Sequence, residues 1–219
     1  MYPVRYTADY AEERNRGTTF FRWILLIPWA IVGGVYFFAA SIVAFLAWFA
    51  LLFTARYPEG LYNFNAGVLR FLGRVNSWAN LQTDEWPPFG FAHDPAYPVR
   101  VDVDPPLERY SRWKVLLRLI VGIPVMFIAY LMATLHPLAA TIAWFHIVFT
   151  GRSSGGIHNV LTVGLAYTLR ATAYFLLITE TFPPVSDQAP ASRLGTAAQP
   201  AATTATTPSA EATEPPREQ

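Results

Sequence analysis

Residues 23–55 read WILLIPWAIVGGVYFFAASIVAFLAWFALLFTA, 33 positions without one charged side chain. As a single helix this run is about 50 Å long at 1.5 Å per residue. A bilayer core is about 30 Å thick, and a tilt of about 40° does not absorb the difference. The run therefore predicts a transmembrane hairpin of two short helices, roughly 20–38 and 42–55. Pro28 falls in the first half of the ascending helix, where its missing N–H predicts a kink. Phe20-Phe21-Arg22-Trp23 ahead of the run reads as an interfacial anchor, with Arg22 snorkelling to the headgroups.

The stretch has a second copy. Tyr2-Pro3-Val4-Arg5 returns as Tyr97-Pro98-Val99-Arg100, and the register then holds at about 96 residues. Arg22, Pro28, Trp48, Arg56, Arg74, Thr83 and Asp84 match Arg118, Pro124, Trp144, Arg152, Arg170, Thr179 and Glu180. In the second copy His136-Pro137 aligns with Ala40-Ser41. Proline suits the start of a helix, so the hinge is placed there. Gly33-Gly34 is the rival hinge, but its counterparts, Ala129-Tyr130, are not turn formers. The second hairpin then spans about 114–134 and 137–150.

Each hairpin is followed by a third segment. In 62–82, Phe64, Val68, Phe71, Val75 and Trp78 form one helical stripe, and Asn63, Arg70, Arg74 and Ser77 form the next. This predicts an amphipathic helix on the membrane surface, with 158–178 as its counterpart. If both third helices lie on the surface, every Arg and Lys falls on or near one side, as the positive-inside tendency requires. The reading is an all-α integral membrane protein with two transmembrane hairpins facing the same way, each followed by a surface helix. Its parts are an N-terminal segment 1–17, repeat 1 at 18–89, a connection 90–112, repeat 2 at 113–185 and a tail. The expected location is the inner membrane, multi-pass, with both termini cytoplasmic. In the connection, Val99, Val101 and Val103 alternate with Arg100, Asp102 and Asp104, which predicts a strand pairing with 87–91 or 2–6. Residues 186–219 are rich in Ala, Thr and Pro and are expected to be disordered.

The chain is 53% hydrophobic and only 14% charged, against about 25% charged in soluble domains. A net charge of +1 gives no bulk electrostatic case for nucleic acid. With no Cys there is no disulfide, thiolate nucleophile or Cys-bound metal. His136 and His146 stand ten residues apart, but Ala40 and Ala50 occupy their places in repeat 1, so no metal or haem site, and no cofactor, is expected. His146 is the one strongly polar group well inside an expected span and is read as bonding a neighbouring helix. No nucleophile–base set or phosphate loop appears, so the chain is not expected to be an enzyme. Arg56, Arg70, Arg74, Arg152 and Arg170 gather at the expected inner interface and are candidates for contact with lipid or a partner. Asp84 and Glu180 close the third helices ten residues after Arg74 and Arg170, and are read as structural ion pairs, Arg74–Asp84 and Arg170–Glu180, or as capping contacts at the membrane surface.

The Tyr-Pro-Val-Arg start, the Arg22-to-Pro28 and Arg118-to-Pro124 helix entries, Ala-Trp-Phe at 47–49 and 143–145, Phe-Thr-Ala-Arg-Tyr-Pro-Glu-Gly at 53–60 and Thr-Asp-Glu-Trp-Pro-Pro-Phe at 83–89 together resemble the bacterial domain of unknown function 4389 family. The resemblance covers 2–185, with a departure at Ser153-Ser154-Gly155, where repeat 1 has Tyr57-Pro58-Glu59. It implies an integral membrane protein and brings no activity or catalytic residue. The expected function is a non-enzymatic accessory or interaction module that binds the bilayer, anionic lipid, a partner membrane protein or a second copy. The alternatives are a membrane-shaping hairpin protein and a small transporter or channel subunit.

Overall fold

A computed structural model describes residues 2–92 and 94–184. The expected disordered tail, 186–219, lies outside them. The elements are β1 (Val4–Ala8), α1 (Arg16–Leu25), α2 (Ile27–Thr54), α3 (Glu59–Ala79), β2 (Val99–Val103), α4 (Arg112–Leu116), α5 (Arg118–Val121), α6 (Ile123–Thr150) and α7 (Gly155–Phe175).

The hairpins are replaced by long helices. α2 runs unbroken for 28 residues through both candidate hinges, and α6 does the same with Pro137 inside it. The interruption falls earlier, at Leu26 and Gly122, so that Pro28 and Pro124 stand in the first turn of the next helix. There a proline's missing N–H costs nothing, because the first-turn N–H groups have no intrahelical partner. The proline thus separates two helices instead of kinking one.

The two repeats are related by a pseudo-twofold axis that three antiparallel pairs define. β1 and β2 form a two-stranded antiparallel ribbon in which Tyr6 faces Val101 at the centre. Of the two candidate strand partners, the N-terminal one is used. α3 and α7 cross where Gly73 lies against Leu169, its own repeat counterpart. A Cβ on Gly73 would come within 2.4 Å of Val101, so glycine is what lets ribbon and helices approach. Each long helix ends beside the start of the other repeat's first helix, so α2 and α6 run in opposite directions on either side of a gap. The Arg14 N–H meets Gly151 O at 3.0 Å and the Tyr110 N–H meets Ala55 O at 2.8 Å, the same contact in each copy. Trp48 and Trp144 repeat the pattern, their indole N–H groups donating to Val115 O and Thr19 O. Counted from the start of α1 to the end of α2, and from the start of α4 to the end of α6, the runs Arg16–Thr54 and Arg112–Thr150 have Val35 and Leu131 as their midpoints.

These pairs stack as three layers. α2 covers the Phe71–Leu72 side of α3, with Gly33 and Tyr36 in contact. Val101 and Tyr6 reach Gly73 and Ser77, about 150–170° around the helix from the midpoint of Phe71 and Leu72 at about 100° per residue. The ribbon and the long helices therefore lie on opposite sides of the α3/α7 layer. This corrects the surface-helix expectation: α3 and α7 are the middle of the fold, and Val68, Leu69, Phe71 and Trp78 are fully buried. The C-terminal part of the α3 polar stripe, Arg74 and Ser77, is buried against other protein groups, while Asn63 stays exposed. The Tyr6 hydroxyl meets Ser77 Oγ at 2.7 Å and donates to Gln82 Oε1, and Gln82 Nε2 donates to Thr162 Oγ1 at 2.9 Å. Burial pushes the Tyr6 phenol pKa up, which keeps it a donor.

Candidate membrane face and its rim

The apolar side of the molecule is built by helical period. On α2 the small residues Gly33, Ala40, Ala44 and Ala47, with Leu51, face α3 and let the two helices pack closely. Ile31, Val35, Phe38, Ile42, Phe49 and Phe53 lie on the other face and are exposed, Phe38 by 69% and Phe53 by 76%. α6 repeats this with Phe127, Tyr130, Leu138 and Phe149 outward and Ala140, Ala143 and Ile147 inward. α1, α4 and α5 extend the surface with Trp23, Ile24, Trp113, Leu119 and Ile120. Monomeric soluble proteins rarely expose a continuous apolar area of this extent. Both α2 and α6 are long and apolar enough to cross a membrane.

Between the long helices the surface opens into an apolar groove of about 640 Å³. Phe37, Phe45 and Trp48 of α2 face Leu119 and Met126 of the other repeat, over a floor that includes Phe175. On the opposite side of the molecule the ribbon turns charge outward. Arg5 pairs with Asp104 at 2.8 Å and Arg100 with Asp9 at 3.0 Å, all partly exposed.

The five candidate arginines do not form one cluster. Arg56 and Arg152 are exposed just past the ends of α2 and α6. Because those helices are antiparallel, the two lie at opposite ends of the apolar layer. Arg112 donates to Phe53 O at 2.9 Å beside the first, and Arg16 to Thr150 O at 2.9 Å near the second. Arg70 sits half-buried against the ribbon, near Asp94 and Arg100. Arg74 and Arg170 are 5% exposed and are not lipid contacts. Arg74 donates to Ala92 O at 3.0 Å and to Gly90 O, and Arg170 stacks over the Tyr2 ring and donates to Pro184 O at 3.4 Å. Their helix period points them into the protein, where backbone carbonyls accept from the guanidinium Nη atoms.

The expected acid partners are also reassigned. Asp84 pairs with Arg22 at 2.6 Å and accepts the Asn15 N–H at 2.8 Å. Glu180 accepts the Ser111 N–H and lies 3.6 Å from Lys114. Each acid thus caps the first helix of a repeat, Asp84 in its own repeat's α1 and Glu180 at α4, where a carboxylate suits the positive end of the helix. His146 does not reach across to another helix. Its Nδ1 lies 2.9 Å from Arg152 O and so binds the turn that closes its own helix.

Arg22 and Arg118 are the residues that sequence reasoning misplaced. Arg22 is 2% exposed, so it does not snorkel. Its Nη1 donates to Trp78 O at 2.6 Å and Thr83 O at 3.1 Å, tying the end of α3 and the turn after it to α1. Arg118 does the same in repeat 2, donating to Tyr174 O and, at 2.6 Å, to Thr179 O. Each guanidinium covers a ring, Trp78 at 4.9 Å and Tyr174 at 4.4 Å. The available signal was that both copies keep the arginine six residues before the proline.

Geometry and sequence together define a mostly helical tandem-repeat protein with a small β ribbon and two candidate membrane helices. The family model described as "Domain of unknown function (DUF4389)" matches it twice, at residues 16–91 and 112–186, and the chain belongs to that family. No curated protein and no solved structure matches it.

Proposed function

We propose that the protein is a non-enzymatic membrane module that holds anionic lipid at the rim of its apolar layer. Its place is the cell membrane, with the ribbon side facing the cytoplasm. The observation that carries this reading is the groove. Its walls are mainly apolar, its volume of about 640 Å³ has room for an acyl chain, and its lining reaches Trp48, which bonds Val115 O of α4, the helix that Arg112 and Lys114 begin and beside which Arg56 follows α2. A chain lying there brings its phosphate within reach of a basic rim. Each basic residue near an anionic surface adds about 1 kcal/mol of attraction.

The test is lipid capture by the purified protein from mixed vesicles, scored as the ratio of phosphatidylglycerol to phosphatidylcholine that copurifies. Enrichment of the anionic lipid is expected. It should drop several-fold in Arg56→Gln/Arg112→Gln, and filling the groove with Ala171→Phe should lower total lipid retained. Arg70→Gln, on the ribbon side, should change neither. Equal capture of both lipids by the parent protein would refute the reading.

A further inference from the structure

We propose that α2 and α6 lie in the plane of the membrane, embedded in a single leaflet, instead of crossing it. This rests on the membrane placement above and adds its geometry. The three antiparallel pairs share one axis: it passes between Tyr6 and Val101 in the ribbon and between Gly73 and Leu169 in the middle layer, and the run midpoints put it between Val35 and Leu131 in the outer layer. An axis that reverses α2 into α6 is perpendicular to both helices. A membrane then offers it two orientations.

In one, the axis lies in the bilayer plane, and α2 and α6 span in opposite directions as inverted repeats do. The axis then sits at the bilayer midplane, and the ribbon lies on it. Arg5, Asp9, Arg100 and Asp104, all outward on the ribbon and partly exposed, would face hydrocarbon near its centre. That is the costliest position a charged side chain occupies in a membrane.

In the other orientation the axis is the membrane normal. Every layer then meets the medium it suits. The charged ribbon faces water, the α3/α7 layer lies between, and the outward stripe of α2 and α6 faces hydrocarbon. The thickness also fits. A helix layer is about 10–12 Å deep with side chains, and one leaflet's hydrocarbon is about 15 Å, half of the core. α2 is about 42 Å long, more than a bilayer core needs, whereas a helix lying flat has no length to match. Arg16, Arg56, Arg112 and Arg152 then fall around the edge of the embedded layer at headgroup level, where their charge complements anionic lipid. Both repeats enter from the same side.

The chain has no cysteine, so single cysteines report cleanly. Fluorophores at Ile31→Cys, Phe38→Cys, Phe45→Cys and Phe53→Cys would be read by depth-dependent quenching from brominated lipids in phosphatidylglycerol/phosphatidylcholine vesicles. Asp9→Cys, exposed at the end of the ribbon, would be tested with a membrane-impermeant maleimide on protein added from outside. The expected result is one common depth, within about 5 Å, for all four helix positions, with full labelling of Asp9→Cys. A profile deepest at Phe38 and shallowest at Phe53, with Asp9→Cys protected, would overturn the in-plane placement and leave membrane binding intact. No quenching at any position would overturn the membrane reading itself, and this inference with it.

Discussion

Replacing Arg22 by Met removes the side chain that closes the first repeat. The guanidinium makes two bonds to carbonyls, Trp78 O and Thr83 O, and a third to Asp84 at 2.6 Å. Methionine keeps the stem's packing, takes a donor from Thr83 O and the Asp84 carboxylate, and leaves Trp78 O with the Leu81 N–H. Breaking a buried pair by deleting one member costs about 3–5 kcal/mol. The Asp84 side chain is 26% exposed and keeps the Asn15 N–H, so the lower end, about 3 kcal/mol, applies. In a domain of this size that is a fall of roughly 6–12 °C in Tm. Arg118→Met loses two carbonyl bonds, but Glu180 keeps Lys114 and the Ser111 N–H. Its cost should be smaller, about 2 kcal/mol. Asp84→Asn added to Arg22→Met should restore about 1 kcal/mol by neutralising the stranded charge. The assay is thermal unfolding in detergent followed by tryptophan emission, since Trp78 lies under the Arg22 guanidinium. A Tm within 2 °C of the parent, or Arg118→Met proving the more damaging, would refute the reasoning. So would an unchanged Tm with weakened binding to anionic vesicles, the outcome a snorkelling arginine gives.

Three further outcomes are expected. Ala55 and Gly151 end α2 and α6 in the left-handed region, with φ of 56° and 73°; Gly151→Ala should cost about 1–2 kcal/mol, the exposed Arg16 side chain moving off the new Cβ, while Ala55→Gly should stabilise by a fraction of that, both read as Tm shifts. Tyr6→Phe leaves Ser77 and Gln82 short of a partner in a buried chain and should cost about 1–3 kcal/mol in denaturant unfolding. Burial lowers the His158 pKa, nearby Arg14 lowers it further and a backbone bond at Ala8 opposes them. The unfolded chain therefore takes up the proton first, and stability should fall as pH drops below the ordinary histidine value of 6.5. His158→Gln should remove this component, at most about 1.4 kcal/mol per pH unit, when unfolding at pH 7.5 and 5.5 is compared.

The repeat was legible because side chains with fixed partners recur: Arg22 and Arg118, Trp48 and Trp144, Asp84 and Glu180. The strand at 99–103 was legible because valines alternate with charged residues on a ribbon with one buried face. The third helices were placed three residues late at both ends, 62–82 for Glu59–Ala79 and 158–178 for Gly155–Phe175. They stop before Leu81 and Leu177, which take positive φ without a glycine to announce it. The hinge was misjudged because alanine, serine and even Pro137 are carried inside a continuous helix, so composition alone does not mark a turn. The arginine cluster was misjudged for another reason. A polar stripe on an amphipathic helix reads the same whether it meets water or carbonyls, and only the fold shows that Arg74 and Arg170 meet carbonyls.

Continuity of the long helices underlies the antiparallel pair, the layers and the groove alike. Nitroxide labels at Ile31→Cys and Phe53→Cys, both on the outward face of α2, measure it in one distance by pulsed electron resonance. Twenty-two residues of unbroken helix place the two backbone sites about 33 Å apart. A hairpin turning at Ala40-Ser41 would bring them to roughly 10–15 Å, the spacing of packed neighbouring helices plus a small stagger, and that result would contradict the fold described here.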